Sequence, residues 1–495
     1  MYYESTRGNF KATDRQAVLQ GIAPDGGLYI DKALGERPFD WKKCLTLEPL
    51  GMAEMLLKHM LPGFEGMDEL VKKAYEGKFS VPELTPLVKV GDDYVLELFH
   101  GPTCAFKDVA LSMLPQLITA AREQENISDQ IVILTATSGD TGKAALEGFH
   151  DVNGTKIIVF YPADGVSPIQ KAQMVSQSGN NVKVCAIHGN FDDCQTGVKE
   201  AFAEINSKEL LNGKGMRLSS ANSINIGRLA PQVVYYFIAY AALIKEGRIS
   251  LGDVVDFSVP TGNFGDILAG YFAKLMGLPV GRLICASNAN NVLTDFIKTG
   301  VYNRHRKFIK TSSPSMDILV SSNLERLLYF ASEGDCKFVS ESMKSLSAWG
   351  EYRVGLDILL EIQDSFSAYC CNEERTAQTI KQVWNENSYL CDPHTAVAFS
   401  AAIDYKQRES EGAPVVILST ASPYKFPAAV LSALGEDSDG DEFSMMDKLS
   451  KISGISVPKA LSGLKEKEVL HRDVIEKDEI LNYVCKVISQ WEDKK

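Results

Sequence analysis

Short apolar runs alternate with amphipathic stretches all the way from Val95 to about Ala433, and few folds admit that rhythm. IVILTAT (131–137) leads into GDTGKAALEGF, KIIVFYP (156–162) into a helical pattern from Pro168 to Ser178, and VKVCAIH (182–188) into FDDCQTGVKEAFAEI. VVDFSVP (254–260), RLICASN (282–288) and PVVILSTA (414–421) are followed in the same way. Repeated strand-then-helix units of this kind form parallel sheets covered by helices on both faces. In such sheets ligands sit beyond the carboxyl ends of the strands. The glycine-rich and hydroxyl-bearing segments of this chain follow its apolar runs, where that rule puts a site.

A chain of 495 residues is too long for one ordinary core, so two or three domains are expected. Residues 1 to about 90 form a mixed opening segment with a turn at Pro24-Asp25-Gly26-Gly27 and a helical pattern near Leu47–Leu61. The run Glu436–Glu442 closes the alternating region. As a calcium loop counted from Asp437 it fails, because Glu442 and Lys448 stand where Gly and Glu are required; it reads as a solvated linker before a small helical tail.

A net charge of −13 is repelled by nucleic acid and by anionic membranes, which sets polynucleotide binding aside. The ten cysteines contain no Cys-x-x-Cys knuckle, so no metal is expected and most read as reduced, core-forming residues, in keeping with the cytoplasm. The polar opening MYYESTRGNFKATDRQ and the lack of a bilayer-length apolar run make the cytosol the expected location.

Five segments carry candidate chemistry. In Phe99-His100-Gly101-Pro102-Thr103-Cys104-Ala105-Phe106-Lys107-Asp108, a lysine stands where a loop enters a helix. The helix dipole and burial beside Phe106 both depress an amine pKa there, which favours the neutral, nucleophilic form. By itself the segment is read better as a surface lysine whose stem packs on Phe106. Thr137-Ser138-Gly139-Asp140-Thr141-Gly142 opens a helix after a strand and offers free N–H groups and hydroxyls to a carboxylate or phosphate. It is not a Walker loop, since Ala144 follows Lys143 and Thr137 stands where the first glycine belongs. Thr261-Gly262-Asn263-Phe264-Gly265-Asp266 also opens a helix, and its glycines allow close backbone approach to a phosphate. It lacks the Gly-x-Gly-x-x-Gly spacing of a dinucleotide fingerprint. Asn222, Ser223 and Arg228 suit an oxyanion, or else cap the following helix. Thr420 ends a strand, and its hydroxyl fits either a heteroaromatic nitrogen or a helix N-cap.

Together, FHGPTCAFKD, TATSGDTG, NSINIGR, PTGNFGD, SSNLERLLY, DPHTAVA and STASPYKF occur in the order found in threonine synthases, and the chain resembles that family, in its longer bacterial and fungal form, from GIAPDGGLYI (21–30) to about Ala433. The resemblance implies an α/β fold-type II pyridoxal-phosphate enzyme. It would have an N-terminal domain (1–90), a catalytic core (91–435) of two parallel-sheet α/β domains with the smaller at about 110–220, and an acidic linker with a helical C-terminal tail (436–495). It implies pyridoxal 5'-phosphate as cofactor and O-phospho-L-homoserine as substrate, converted with water to L-threonine and phosphate by a monomer or homodimer. Carried onto this sequence, Lys107 is the Schiff-base lysine and Gly262, Asn263, Phe264, Gly265 and Asp266 hold the cofactor phosphate. Thr420 faces the pyridine nitrogen. Ser138, Gly139, Asp140 and Thr141 take the substrate carboxylate, and Asn222, Ser223 and Arg228 the substrate phosphate. Cys104, and Ser422 and Tyr424 in place of His and Ala, depart from the family pattern. These motifs do not decide against a phospho-lyase releasing 2-oxobutyrate and ammonia, which needs the same cofactor and phosphate sites, and a catalytically silent binding protein is the rival from another class. Asp392, His394 and Arg326 read best as core or capping residues.

Overall fold

The computed structural model describes residues 2–408 and 412–492. Met1 of the opening segment, 409–411 of the core and 493–495 of the tail lie outside them. Two sheets organise the chain. The larger has six strands in the order Phe366–Cys370, Val280–Ser287, Val255–Pro260, Val415–Ser419, Asp93–Glu97, Leu87–Val90. Its neighbours are parallel except the last pair, an antiparallel hairpin at the edge. The central strands Val255–Pro260 and Val415–Ser419 are buried along their whole length, as continuous apolar runs in a two-sided parallel sheet must be.

The smaller sheet has five parallel strands in the order Asp473–Glu476, Val182–His188, Thr155–Pro162, Gln130–Ala136, Met216–Ser220. Its first strand comes from the tail, an addition to the all-helical reading. Asp473–Glu476 pairs with Cys185–His188, and the helix Ile480–Glu492 then lays Ile480, Val484, Val487 and Ile488 into one apolar cluster with Cys194, Val198 and Ile205 of the helix Phe191–Ser207. The acidic run leads directly into the helix Glu442–Ser453, with Asp441 accepting from Phe443 and Ser444 N–H as its N-cap.

The opening segment forms a three-stranded antiparallel sheet (Tyr3–Ser5, Lys11–Ala12, Tyr29–Ile30) and the helices Pro49–Met60 and Met67–Tyr75. It packs on the helix Lys107–Gln124, where Tyr75 donates to the Val109 carbonyl at 2.9 Å. That helix contains Pro115, which cannot donate to the Leu111 carbonyl one turn earlier. The helix Asp140–Phe149 crosses there through Gly148, where a Cβ would come within 2.0 Å of the same carbonyl oxygen. The two helices that start at the site thus pack through a proline and a glycine. Among the described residues no helix is long and apolar enough to cross a membrane, and no group of His, Cys, Asp and Glu is placed to hold a metal. All ten cysteines are free, most of them buried.

Candidate active site

The strand Asp93–Glu97 ends in a loop tied to the end of its neighbour Val415–Ser419. Leu98 N–H donates to the Ser419 carbonyl (2.9 Å), Phe106 N–H to the Thr420 carbonyl (2.8 Å), and Ser422 N–H to the Cys104 carbonyl (3.1 Å). The Asp108 carboxylate shapes the loop from within, accepting from Thr103 N–H (2.9 Å), the Thr103 hydroxyl (2.5 Å) and Ala105 N–H (3.4 Å). Cys104, the departure beside the lysine motif, sits at φ 60° with its thiol buried and pushed up to about 12, an inert packing residue.

Lys107 emerges from this loop as the first residue of its helix, only 8% exposed. Its stem lies on Phe106, with the amine 4.5 Å from the ring centroid, but the residue is not on the surface. Burial lowers its pKa to about 8; Asp140, 3.9 Å away, opposes the shift, and Arg228 and Lys425 add to it. At pH 7 such an amine is neutral in roughly one molecule in ten, against fewer than about one in a thousand for a free lysine.

Facing it, Val255–Pro260 runs through Thr261–Phe264 into the helix Gly265–Leu275, with Phe264 left-handed at φ 64° as its cap. A Cβ on Gly262 would lie 2.7 Å from the Ser315 carbonyl oxygen, and one on Gly265 3.3 Å from Ser223 Cβ. Ser321 donates to the Gly262 carbonyl (2.8 Å) and Asn323 to that of Asn263 (3.1 Å). The carbonyls are thereby engaged, and the first helical N–H groups, which have no acceptor inside the helix, open on the cleft. The side chain of Asp266 is turned to Tyr235 (2.5 Å) and Tyr236 (3.2 Å), and burial lifts its carboxyl to about 7. Only its backbone suits an anion.

Across the cleft, the Thr137 hydroxyl accepts from Gly139 N–H (2.9 Å) and Gly142 N–H (2.8 Å), fixing the start of the helix Asp140–Phe149. Gly139 has φ 132°, and a Cβ there would meet Gln170 at 2.4 Å, so only glycine fits. Gln170 donates to Asp140 Oδ1 (2.8 Å), and Lys425 pairs with the same oxygen (2.6 Å). Burial alone would raise the Asp140 carboxyl, but Lys425, Lys107 and the Gln170 amide together hold it well below the usual range. Arg228 spans two loops, with Nη1 on the Ala221 carbonyl (2.7 Å) and Nη2 on Thr141 Oγ1 (3.3 Å). Its Nε and Asn222 Oδ1 are buried without a protein partner.

A single cleft of about 1320 Å³ is lined by every residue given a cofactor or substrate role above except Gly139, whose N–H is spent on Thr137. Other wall residues escaped the sequence reading. The turn Gln20–Leu28 of the opening segment contributes one side. His394 is another: its Nδ1 donates to Asp392 (2.5 Å) and its Nε2 accepts from Ser315 N–H (3.2 Å), pinning the segment that presses on Gly262. The DPHTA motif was a visible signal for it. Lys425, which does not line the cleft but is buried against Asp140, showed only as a lysine inside an apolar stretch. Arg326 is a core residue, donating to the carbonyls of Tyr29 (3.1 Å) and Ile224 (2.6 Å).

Residues 80–421 match the family model described as pyridoxal-phosphate dependent enzyme, and 395–480 match that of the threonine synthase C-terminal region. Threonine synthase-like 1 of Homo sapiens is 39% identical over 85% of this chain, which spans 58% of that relative's length. Threonine synthase of Pseudomonas aeruginosa is 41% identical over 88% of this chain and 90% of its own. The crystal structure of PLP-bound threonine synthase from Brucella melitensis superposes with a TM-score of 0.85 at 37% identity, covering 99% of both chains. With the family model matched over residues 80–421 and these relatives matched over most of the chain, the chain belongs to the pyridoxal-phosphate-dependent enzymes and, among them, to the threonine synthase family.

Proposed function

We propose that this protein is a threonine synthase, converting O-phospho-L-homoserine and water to L-threonine and phosphate with pyridoxal phosphate as cofactor. The observation that carries the reading is the buried, deprotonation-prone Lys107 facing the helix N-terminus at Gly265 across one cleft, with Arg228 beside both. The residues fit the cofactor: Lys107 provides an amine for its aldehyde, and the Gly262–Asp266 backbone, closed against Ser315, provides N–H groups for its phosphate. The Thr420 hydroxyl, on the wall of the same cleft, would hydrogen-bond the ring nitrogen without lending it a formal charge.

When bound, pyridoxal phosphate supplies a sink for the electron pair left at the substrate Cα. The chain's own residues do the rest. The Lys107 amine, in its neutral form, would take the Cα proton as a general base. The hydroxyls of Ser138 and Thr141 and the N-terminus of the helix Asp140–Phe149 hold the substrate carboxylate, which fixes Cα against that amine. Asn222, Ser223 and Arg228 hold the ester phosphate and stabilise its charge as it leaves Cγ. The Gln20–Leu28 turn closes part of the cleft wall. The substrate is a small molecule, no nucleic acid or membrane takes part, and the protein acts in the cytosol as a monomer or homodimer.

Product analysis from O-phospho-L-homoserine tests the proposal. Threonine and phosphate in equal amounts are expected. Release of 2-oxobutyrate and ammonia in place of threonine would make the protein a phospho-lyase, and no turnover by cofactor-loaded protein would make it a binding protein.

A further inference from the structure

Lys425 is completely buried, and its ammonium is held by Asp140 Oδ1 at 2.6 Å and the Thr103 carbonyl at 3.0 Å. The other oxygen of the same carboxylate, Oδ2, is 3.9 Å from the Lys107 amine. A carboxylate shared by two buried lysines is costly to assemble, because each ion loses its water and the single anion is divided between two cations. Thr103 alone needs no cation, since a neutral donor would satisfy its carbonyl, and the loop Thr103–Phe106 is already fixed by Asp108.

The geometry points to Lys425 as a positioning residue that, through Asp140, decides when the Lys107 amine gives up its proton. This rests on the proposed role of Lys107 as the amine that joins the cofactor. Lys425 acts in two ways with one sign. It occupies the carboxylate that would otherwise belong to the Lys107 ammonium, and its own charge repels that ammonium. Lys107 faces four other charged groups: Asp140 and Asp266 favour its protonated form, and Arg228 and Lys425 oppose it. Of these, Asp140 has the strongest pull, and Lys425 is the one cation that touches Asp140 directly. Gln170 completes the arrangement by holding Oδ1 from the other side at 2.8 Å, so the carboxylate cannot swing fully to Lys107.

The test follows the rate at which the full chain, freed of cofactor, captures pyridoxal phosphate as a function of pH, read as the rise in visible absorbance. Only the neutral amine reacts, so the midpoint of the curve reports Lys107. Lys425→Met should move the midpoint up by about one pH unit or more and slow capture at pH 7 roughly tenfold. Lys425→Arg, which keeps a cation on Asp140, should restore the wild-type midpoint. Asp140→Asn, which removes the stronger pull, should move it down; if Lys425→Met does not fold, Lys425→Gln, which can still donate to the Thr103 carbonyl but carries no charge, decides the matter by the same upward shift. A lysine that merely staples the Thr103 loop would lower the melting temperature in Lys425→Met and leave the midpoint unmoved; that outcome, or an unmoved midpoint in Asp140→Asn, overturns the inference. Failure of the Lys107 assignment looks different: Lys107→Ala would then still capture cofactor with the same visible band.

Discussion

The N–H of Phe106 donates to the carbonyl of Thr420 at 2.8 Å, so the residue before the amine and the hydroxyl at the neighbouring strand end are locked across a single hydrogen bond. Leu98 and Ser422 add flanking bonds to the same pair of loops. Two segments more than three hundred residues apart in sequence thus behave as one rigid floor. Preorganisation of this kind holds the Lys107 amine in place before any ligand arrives.

Lys107→Ala is expected to abolish the visible absorbance that follows addition of pyridoxal phosphate while leaving the circular dichroism of the fold unchanged. Asp140 keeps Lys425 as its partner, so no buried carboxylate is stranded. Retention of the band would assign the amine elsewhere.

The same residue imposes a pH-dependent cost on stability. Its folded pKa of about 8 lies below the ordinary lysine value of 10.5, so between those values the unfolded chain binds more protons and stability rises with pH. Below about pH 8 the cost of the buried ammonium is present in full. The near-isosteric Lys107→Met should therefore melt above the wild type at pH 7, both without cofactor, and the gap should narrow from pH 8 towards 10. A gap constant with pH would contradict the lowered pKa.

Gly262→Ala tests the cradle. The added Cβ would lie 2.7 Å from the Ser315 carbonyl oxygen, a backbone atom held by the bond from Ser315 N–H to His394. Overpacking of this kind costs roughly 1–3 kcal/mol. Cofactor affinity should fall by about tenfold or more, measured by fluorescence titration, with Lys107 still able to react at saturating cofactor. Unchanged affinity would place the phosphate elsewhere.

Much of this was legible before any coordinates, for physical reasons that differ from element to element. The runs at 131–137, 254–260 and 414–421 became buried parallel strands because a short unbroken apolar run that exits into a glycine- or hydroxyl-bearing segment has few other uses. The loops 138–141 and 262–266 stood out because glycines and polar residues at a helix start after a strand suit an anion. The strand Asp473–Glu476 was not, since it is an edge strand, largely exposed, whose polar residues carry no alternation. Lys425 was hidden for the opposite reason: its partners Asp140 and Thr103 lie far away in sequence, and only the folded chain divides Asp140 between two lysines. The Gln20–Leu28 wall was missed because shape, not chemistry, brings it to the cleft.

Arg228 gives the sharpest discrimination between holding a loop and gripping a substrate. One arm of its guanidinium is on the Ala221 carbonyl at 2.7 Å, so part of its role is to cap the loop that carries Asn222 and Ser223. Its Nη2 makes only a 3.3 Å contact with Thr141, and its Nε is buried without a protein partner, which leaves donors directed to a second ligand. A planar fork grips two phosphate oxygens at once, whereas a lysine offers a single point charge. Arg228→Lys should keep cofactor colour normal and lower kcat/KM by roughly a hundredfold, corresponding to about 3 kcal/mol of lost transition-state stabilisation. Inhibition by inorganic phosphate should weaken in parallel, because product and substrate share the grip. Loss of the Ala221 cap alone would lower the melting temperature and leave phosphate inhibition as it was. Measuring both on one variant separates the two roles, and full retention of phosphate inhibition would reduce Arg228 to a loop cap.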